Sequence, residues 1–357
     1  AHHLRNNTNK HISSDLLKSN IKWCLTGTPI QNRVKDIEML FHIVGFEIKY
    51  IKSNINTTSK NVVRSIGDDC AVIKISAQKY HVITTDTSLL GPHFTKDYTA
   101  YEIGYKSLAT NISDIAAMGC IPKYIFMAIT LPKLESNWIK SFYRGIKDLT
   151  DKYDISLIGG DTNRGPLSVS IQVIGENKSK VLYRDGAKNG DYIYITGKVG
   201  CARAALMISN KKKYKSEFKV LKKYLYMPEP RINIGTNISN FATSCIDISD
   251  GISKDLNNII KSSKCGADIF LDKIPTHKLV KKVISSKNYY EALIGGGEDY
   301  ELCFTANKKY TKHIDRISKK LSVPITKIGV ITKNKLNYFD NGVNVDVNLK
   351  GFDHFSD

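Results

Sequence analysis

The stretch from Gly104 to Gly119, GYKSLATNISDIAAMG, limits what this chain can become. Tyr105, Leu108, Ile112, Ile115 and Ala116 recur at helical spacings, which predicts one apolar stripe of an α-helix. At about 100° per residue, Asp114 falls nearly opposite that stripe, on a face with Ser107 and Asn111. A solvated helix face usually carries long Lys, Glu and Gln. This face is short and polar, and the alanines with Gly119 permit close approach. It is either plainly solvated or the wall of a site, and aspartates at other turns favour the site.

Those turns belong to a mixed series of strands and helices. Strands are expected over 80–85, 124–130, 155–159, 168–175, 192–197 and 244–248, and helices over 46–55, 138–149 and 252–261. The strand at 155–159 reads as short and buried. Gly67-Asp68-Asp69 precedes a β-type run, and the strand at 80–85 ends in Thr84-Thr85-Asp86-Thr87. Gly159-Gly160-Asp161 follows a third strand, and Asp247-Ile248-Ser249-Asp250-Gly251 joins a strand to a helix. Alone, each reads equally well as an acidic turn or a helix cap. Together they offer hard oxygen ligands beside glycines, the set that Mg²⁺ prefers along with phosphate oxygens. Histidine and cysteine do not cluster with them, and no Ser-His-Asp order, nucleophile elbow or protein-kinase loop occurs. The pattern points to phosphoryl transfer by metal clamping.

At 357 residues and 41% hydrophobic, the chain can bury two or three domain cores. A boundary is expected near 188–190. No apolar run approaches the roughly 20 residues of a membrane span, and the start carries no signal-peptide pattern. The seven cysteines are scattered without a CxxC pair, as expected of reduced thiols in the cytoplasm. The net charge of +19 fits nucleic acid, a membrane surface or anionic small molecules. The lysines are spread along the chain, however, and KKKYKSEFKVLKK at 211–223 reads as one exposed helix face. This spread argues against nucleic acid as a partner.

Two resemblances add to this reading. AHHLRN at 1–6 and WCLTGTPIQNRVKDIEMLF at 23–41 resemble two motifs of Swi/Snf-type helicase ATPases. The phosphate loop GxxxxGK[ST] is absent, so 1–44 is expected to be a truncated, non-functional fragment, helical and turn-rich, foreign to the rest of the chain. From 45 onward, GDDCAVI, TTDT, GPHF, GYKSLATNISDIAAMG, LIGGDTNRG, RDGAKNGD, DISDGIS, GGGEDYELCF and KGFDHF occur in order. Residues 45–357 closely resemble the thiamine-monophosphate kinases, in the superfamily of aminoimidazole ribonucleotide synthetase.

That resemblance implies an α/β fold of mixed sheets in two domains, 45–188 and 189–357, with the N-terminal sheet pairing across a homodimer. It implies ATP-dependent, Mg²⁺-assisted phosphorylation of thiamine monophosphate to thiamine diphosphate. It assigns Asp69, Thr84, Thr85, Asp86, Asp114, Asp161, Asp247 and Asp250 to several metal ions. Asp86, Asp114 and Asp250 would act in catalysis through metal. Tyr143, Gly160, Asp161, Arg184 and Ser249 would contact ATP, and His93, Glu298 and Phe352 would hold the substrate. The alternatives are a related synthetase with another acceptor, or a helicase-derived nucleic-acid-binding protein.

Overall fold

A computed structural model describes residues 59–347. The segment 1–44, the helix expected over 46–55 and Phe352 lie outside the described residues. The first described half runs β1 (Val62–Arg64), β2 (Ala71–Ser76), β3 (Lys79–Leu89), α1 (Ala100–Ala117), β4 (Cys120–Leu131), α2 (Ser136–Tyr153), β5 (Ser156–Arg164) and β6 (Ser168–Asn177). Its strands form one mixed sheet in the order β1-β2-β3-β6-β4-β5, with only β4 and β5 parallel.

Alternation along β4 sets the two faces of this sheet. Ile125, Met127, Ile129 and Leu131 are buried on the inner face, while Tyr124 and Phe126 are exposed on the outer one. α1 and α2 cover the inner face. Glycines let their backbones meet: a Cβ on Gly104 would lie 2.2 Å from the Phe142 carbonyl oxygen, and one on Gly145 would lie 2.1 Å from that of Tyr101. The Thr99–Glu102 capping box starts α1.

The second half runs β7 (Tyr192–Thr196), α3 (Cys201–Ile208), α4 (Lys215–Tyr226), α5 (Ile232–Ile238), β8 (Ala242–Asp247), α6 (Ile252–Ser263), β9 (Gly266–Phe270), α7 (Lys278–Val283), β10 (Leu302–Ala306), α8 (Thr311–Leu321), β11 (Ile325–Thr332), β12 (Leu336–Asp340) and β13 (Val343–Val345). The sheet order is β13-β12-β9-β11-β7-β10-β8, mixed again, with β9 and β12 parallel. α4 turns Leu221 and Leu225 inward, as the lysine-rich stretch requires.

α1 joins the halves. A Cβ on Gly235 of α5 would lie 2.1 Å from the Ala116 carbonyl oxygen, and Ser113 donates to Asp247 at the end of β8 over 2.6 Å. The single-stripe expectation for α1 is therefore too weak. Ser107, Thr110, Asn111 and Ser113 are buried along with the apolar residues, because neighbours pack on nearly every side.

Two strand expectations are corrected. β3 does not stop at Thr85: its ladder with β6 continues to Leu89 opposite Ser168, placing Asp86 within the strand opposite Ile171. β5 is not buried: every one of its residues is exposed. Among the described residues it is an edge strand bonded to β4 alone, and the core receives Ile155 just before it.

Candidate active site

The inner face of the first sheet, α1 and the loop after β8 converge on one group of carboxylates. Oxygens of Asp69, Asp114 and Asp247 lie within 4.8 Å of one another. Asp69 stands just before β2, Asp114 projects from α1, and Asp247 ends β8. Thr84 on β3 donates to Asp114 over 2.5 Å. Asn111, one turn back on α1, accepts the backbone amide of Asp86 over 3.1 Å, which ties β3 to the helix.

Charges this close perturb one another. Burial pushes Asp69 up to about 7, with Arg184 opposing and Asp247 adding to the rise. Burial raises Asp247 to about 6; the Ser113 hydrogen bond opposes this, and Asp86 and Asp250 reinforce it. Asp114 is raised by burial and then by Asp247, Asp86 and Asp69. Asp86 and Asp250 thus lie close enough to be felt by the buried group. Asp69 Oδ2 is buried with no hydrogen-bond partner among the described residues. An orphaned carboxylate oxygen facing two other carboxylates is a donor set that suits a hard divalent cation.

Arg184 donates to Asp69 over 2.6 Å, and its backbone amide donates to Asp68 over 3.3 Å. Expected to contact ATP, it here sits against the carboxylates. Asp250 pairs with Lys254 at 2.8 Å rather than capping α6. The cap comes from Asp255, which reaches back to accept the amides of Asp250 and Gly251 at 3.0 Å each. Ser249 supports the glycine-rich loop, its carbonyl accepting the Glu298 amide over 2.8 Å.

Other expected residues stand apart from this group. Thr85 faces the outer side of the sheet, where its hydroxyl accepts from Gln172 over 3.3 Å. Asp161 is also on the outer side, opposite Ala128, and is exposed. Asp86, Ile171, Met127 and Gly160 form one row across the sheet, so Gly160 and its neighbour Asp161 lie three strand spacings, about 14 Å, from Asp86. Tyr143 on α2 lines a 120 Å³ cavity with Leu134, Trp138, Phe142 and Thr162. His93 closes the turn after β3, its Nδ1 accepting the Leu89 amide over 3.1 Å. Glu298 forms an ion pair with Lys106 of α1.

Sequence reasoning missed Asp68, Lys106, Ser113 and Asp255. Lys106 carried a signal, as the only charged residue besides Asp114 in the stretch from Gly104 to Gly119. Asp255, in the first turn of a helix opening with glycine, carried a weaker one.

The signatures of two domains match the described halves: AIR synthase related protein, N-terminal domain, over residues 67–177, and AIR synthase related protein, C-terminal domain, over 188–340. A third, the SNF2-related domain, matches residues 1–61. A curated thiamine-monophosphate kinase of Buchnera aphidicola subsp. Schizaphis graminum is 43% identical over 319 residues, covering 87% of this chain and 98% of the relative. The chain belongs to the thiamine-monophosphate kinase family. The thiamine-monophosphate kinase of Stenotrophomonas maltophilia K279a superposes with a TM-score of 0.71 at 32% identity, over 84% of this chain and 96% of that one. AaThiL complexed with AMPPCP and TMP gives 0.74 at 28% identity, over 91% and 99%. Among the described residues, no helix is long and apolar enough to cross a membrane.

Proposed function

We infer that this chain is a thiamine-monophosphate kinase, transferring the terminal phosphoryl group of ATP directly to the phosphate of thiamine monophosphate to give thiamine diphosphate. The observation that carries this reading is the close-set Asp69–Asp114–Asp247 group, in a chain 43% identical to a thiamine-monophosphate kinase. The complex of AaThiL with AMPPCP and TMP supports ATP as co-substrate.

Asp69, Asp114 and Asp247, with Thr84, Asp86 and Asp250 around them, would hold several Mg²⁺ ions. Bound there, Mg²⁺ supplies the positive charge that two approaching phosphates need. Asp86, Asp114 and Asp250 serve catalysis in this way. The acceptor oxygen is already ionised near neutral pH, so the site needs no strong base. Arg184 presents its fork of donors at the edge of the group for phosphate oxygens. Ser249 and Gly160 add backbone contacts to the nucleotide, and Tyr143 with its apolar cavity takes the base. His93, Glu298 and Phe352 hold the thiamine part.

Asp161 is too far from Asp86 to share a metal with it within one protomer. The outer face of the first sheet exposes Leu89, Tyr124 and Phe126, apolar surface that a second copy can cover. We read the protein as a homodimer across this face, in which Gly160, Asp161 and Tyr143 complete the site of the other copy. Phe126→Lys is then expected to halve the mass found by sedimentation. A parent chain that sediments as a monomer would refute the dimer. The domains divide at 188/189, the protein works in the cytoplasm, and 1–44 is a helicase-like fragment without a part in the reaction.

The deciding experiment is a coupled assay with ATP, Mg²⁺ and thiamine monophosphate, on the full chain and on a version starting near Gly45. Thiamine diphosphate should accumulate with both. Folded protein that makes none refutes the reading.

A further inference from the structure

Lys106 is a buried lysine, only 4% exposed, on the helix that carries Asp114. Its ammonium has two hydrogen-bond acceptors and one carboxylate beside it. It donates to the His93 carbonyl at 3.0 Å and the Tyr98 hydroxyl at 3.4 Å, and it pairs with Glu298 Oε2. Tyr98 is itself held, stacked on Tyr226 with ring centroids 3.7 Å apart. One buried cation therefore ties together α1, the turn of His93 and the loop of Glu298.

That loop is strained. Glu298 has φ +73° and Tyr300 φ +50°, left-handed values that side chains other than glycine seldom adopt. Such strain persists only where surrounding contacts impose it. The Lys106 pair, the bond from the Glu298 amide to Ser249 and the bond from the Tyr300 amide to Ile248 are among those contacts.

Building on the kinase reading, we propose that Lys106 is a positioning residue for the acceptor. It fixes the Glu298 carboxylate and cancels its charge. Glu298 then meets the substrate as an oriented hydrogen-bond acceptor through Oε1, not as a counter-ion. A cationic ring gains little from a carboxylate already paired with an ammonium, whereas an amino group on a heterocycle still gains a hydrogen bond to its free oxygen. The site thus selects an acceptor molecule by a ring-borne N–H donor. Along α1, Lys106 and Asp114 are eight residues apart, about 12 Å, which separates recognition of the ring from chemistry at the phosphate.

The test uses the full chain with Lys106→Met, Lys106→Arg, Glu298→Gln and the Lys106→Met/Glu298→Gln double variant, each checked for folding by thermal melting. Lys106→Met should raise KM for thiamine monophosphate about 10- to 100-fold and leave KM for ATP within about twofold. Lys106→Arg should recover part of the loss. Once Glu298→Gln is present, removing Lys106 should add less than about threefold. On the parent protein, a thiamine monophosphate analogue with an uncharged isostere of the thiazolium should compete within about threefold of the substrate, while one lacking the amino group should compete at least tenfold worse. The analogue arm stands even if Lys106→Met does not fold. An unchanged KM for thiamine monophosphate in folded Lys106→Met overturns the proposal, as does an uncharged analogue binding tenfold worse than substrate. A parent protein with no turnover of thiamine monophosphate overturns the kinase reading and this proposal together, whereas normal parent turnover with either adverse result overturns this proposal alone.

Discussion

Asp114→Asn separates folding from function at the carboxylate group. Asp114 lies within 4.8 Å of both Asp69 and Asp247. At an effective dielectric of 20, each full charge pair at that distance repels by about 3.5 kcal/mol. Burial and mutual repulsion raise all three carboxyls toward their neutral forms, and Arg184 already offsets Asp69, so only part of that repulsion is present. Asparagine keeps an oxygen for the Thr84 hydroxyl and removes one charge. Without metal at pH 8, the variant should be about 1–3 kcal/mol more stable than the parent. With Mg²⁺ the order reverses: the parent gains stability by binding, the variant gains little, and turnover falls about 100-fold or more. Urea unfolding with EDTA and with Mg²⁺, alongside the coupled kinase assay, reads both effects. A variant less stable than the parent in EDTA, or turning over within threefold of it, refutes the reasoning.

Other consequences are equally direct. Asp69 and Asp247 rise from 3.8 to about 7 and about 6, so across that window the folded chain holds protons that the unfolded chain has released. Metal-free stability should therefore fall as pH rises from about 4 to about 7, a trend that melting in EDTA across pH would show. Asp255→Ala leaves the buried Gly251 amide and the half-buried Asp250 amide without their acceptor, costing about 1–3 kcal/mol by urea unfolding. Gly104→Ala drives a methyl to 2.2 Å from the Phe142 carbonyl and should cost about 1–3 kcal/mol. Tyr143→Ala opens the cavity beside α2 and should raise KM for ATP severalfold with KM for thiamine monophosphate unchanged.

Much of this is legible in the sequence where periodicity and chemistry agree. The apolar spacing in Gly104–Gly119 places a helix there, and α1 spans Ala100–Ala117. The alternation from 124 to 130 gives the two faces of β4. Reading failed where a residue's side of the sheet depended on strands distant in the chain. Thr84-Thr85-Asp86-Thr87 has turn-like composition, yet pairing with β6 keeps it extended, so Thr84 faces α1 while Thr85 faces away. Gly159-Gly160-Asp161 looks like a loop after a buried strand, yet β4 holds it as an exposed edge. The resemblance implied a phosphate contact for Arg184, and its pairing with Asp69 across 115 residues has no local signature.

The charge distribution explains why a basic chain carries such a group. A surplus of +19 spread over the surface does little for carboxylates buried between α1 and β8, because exposed charges are screened beyond about 8 Å at physiological salt. The compensation must be local. Lys254 is engaged with Asp250, and Lys106 is turned toward Glu298 at the other end of α1. Arg184 is the cation set against the group: its guanidinium, held charged by Asp69 and Asp68 against desolvation, meets one oxygen of Asp69 and leaves the other orphaned. Among the described residues, one guanidinium set against Asp69, Asp114 and Asp247 leaves a net negative group. Phosphates cannot enter such a site unless cations enter first or with them. On the kinase reading, divalent ions held by Asp69, Asp114 and Asp247 would supply the missing positive charge, and Arg184 would then be available to phosphate.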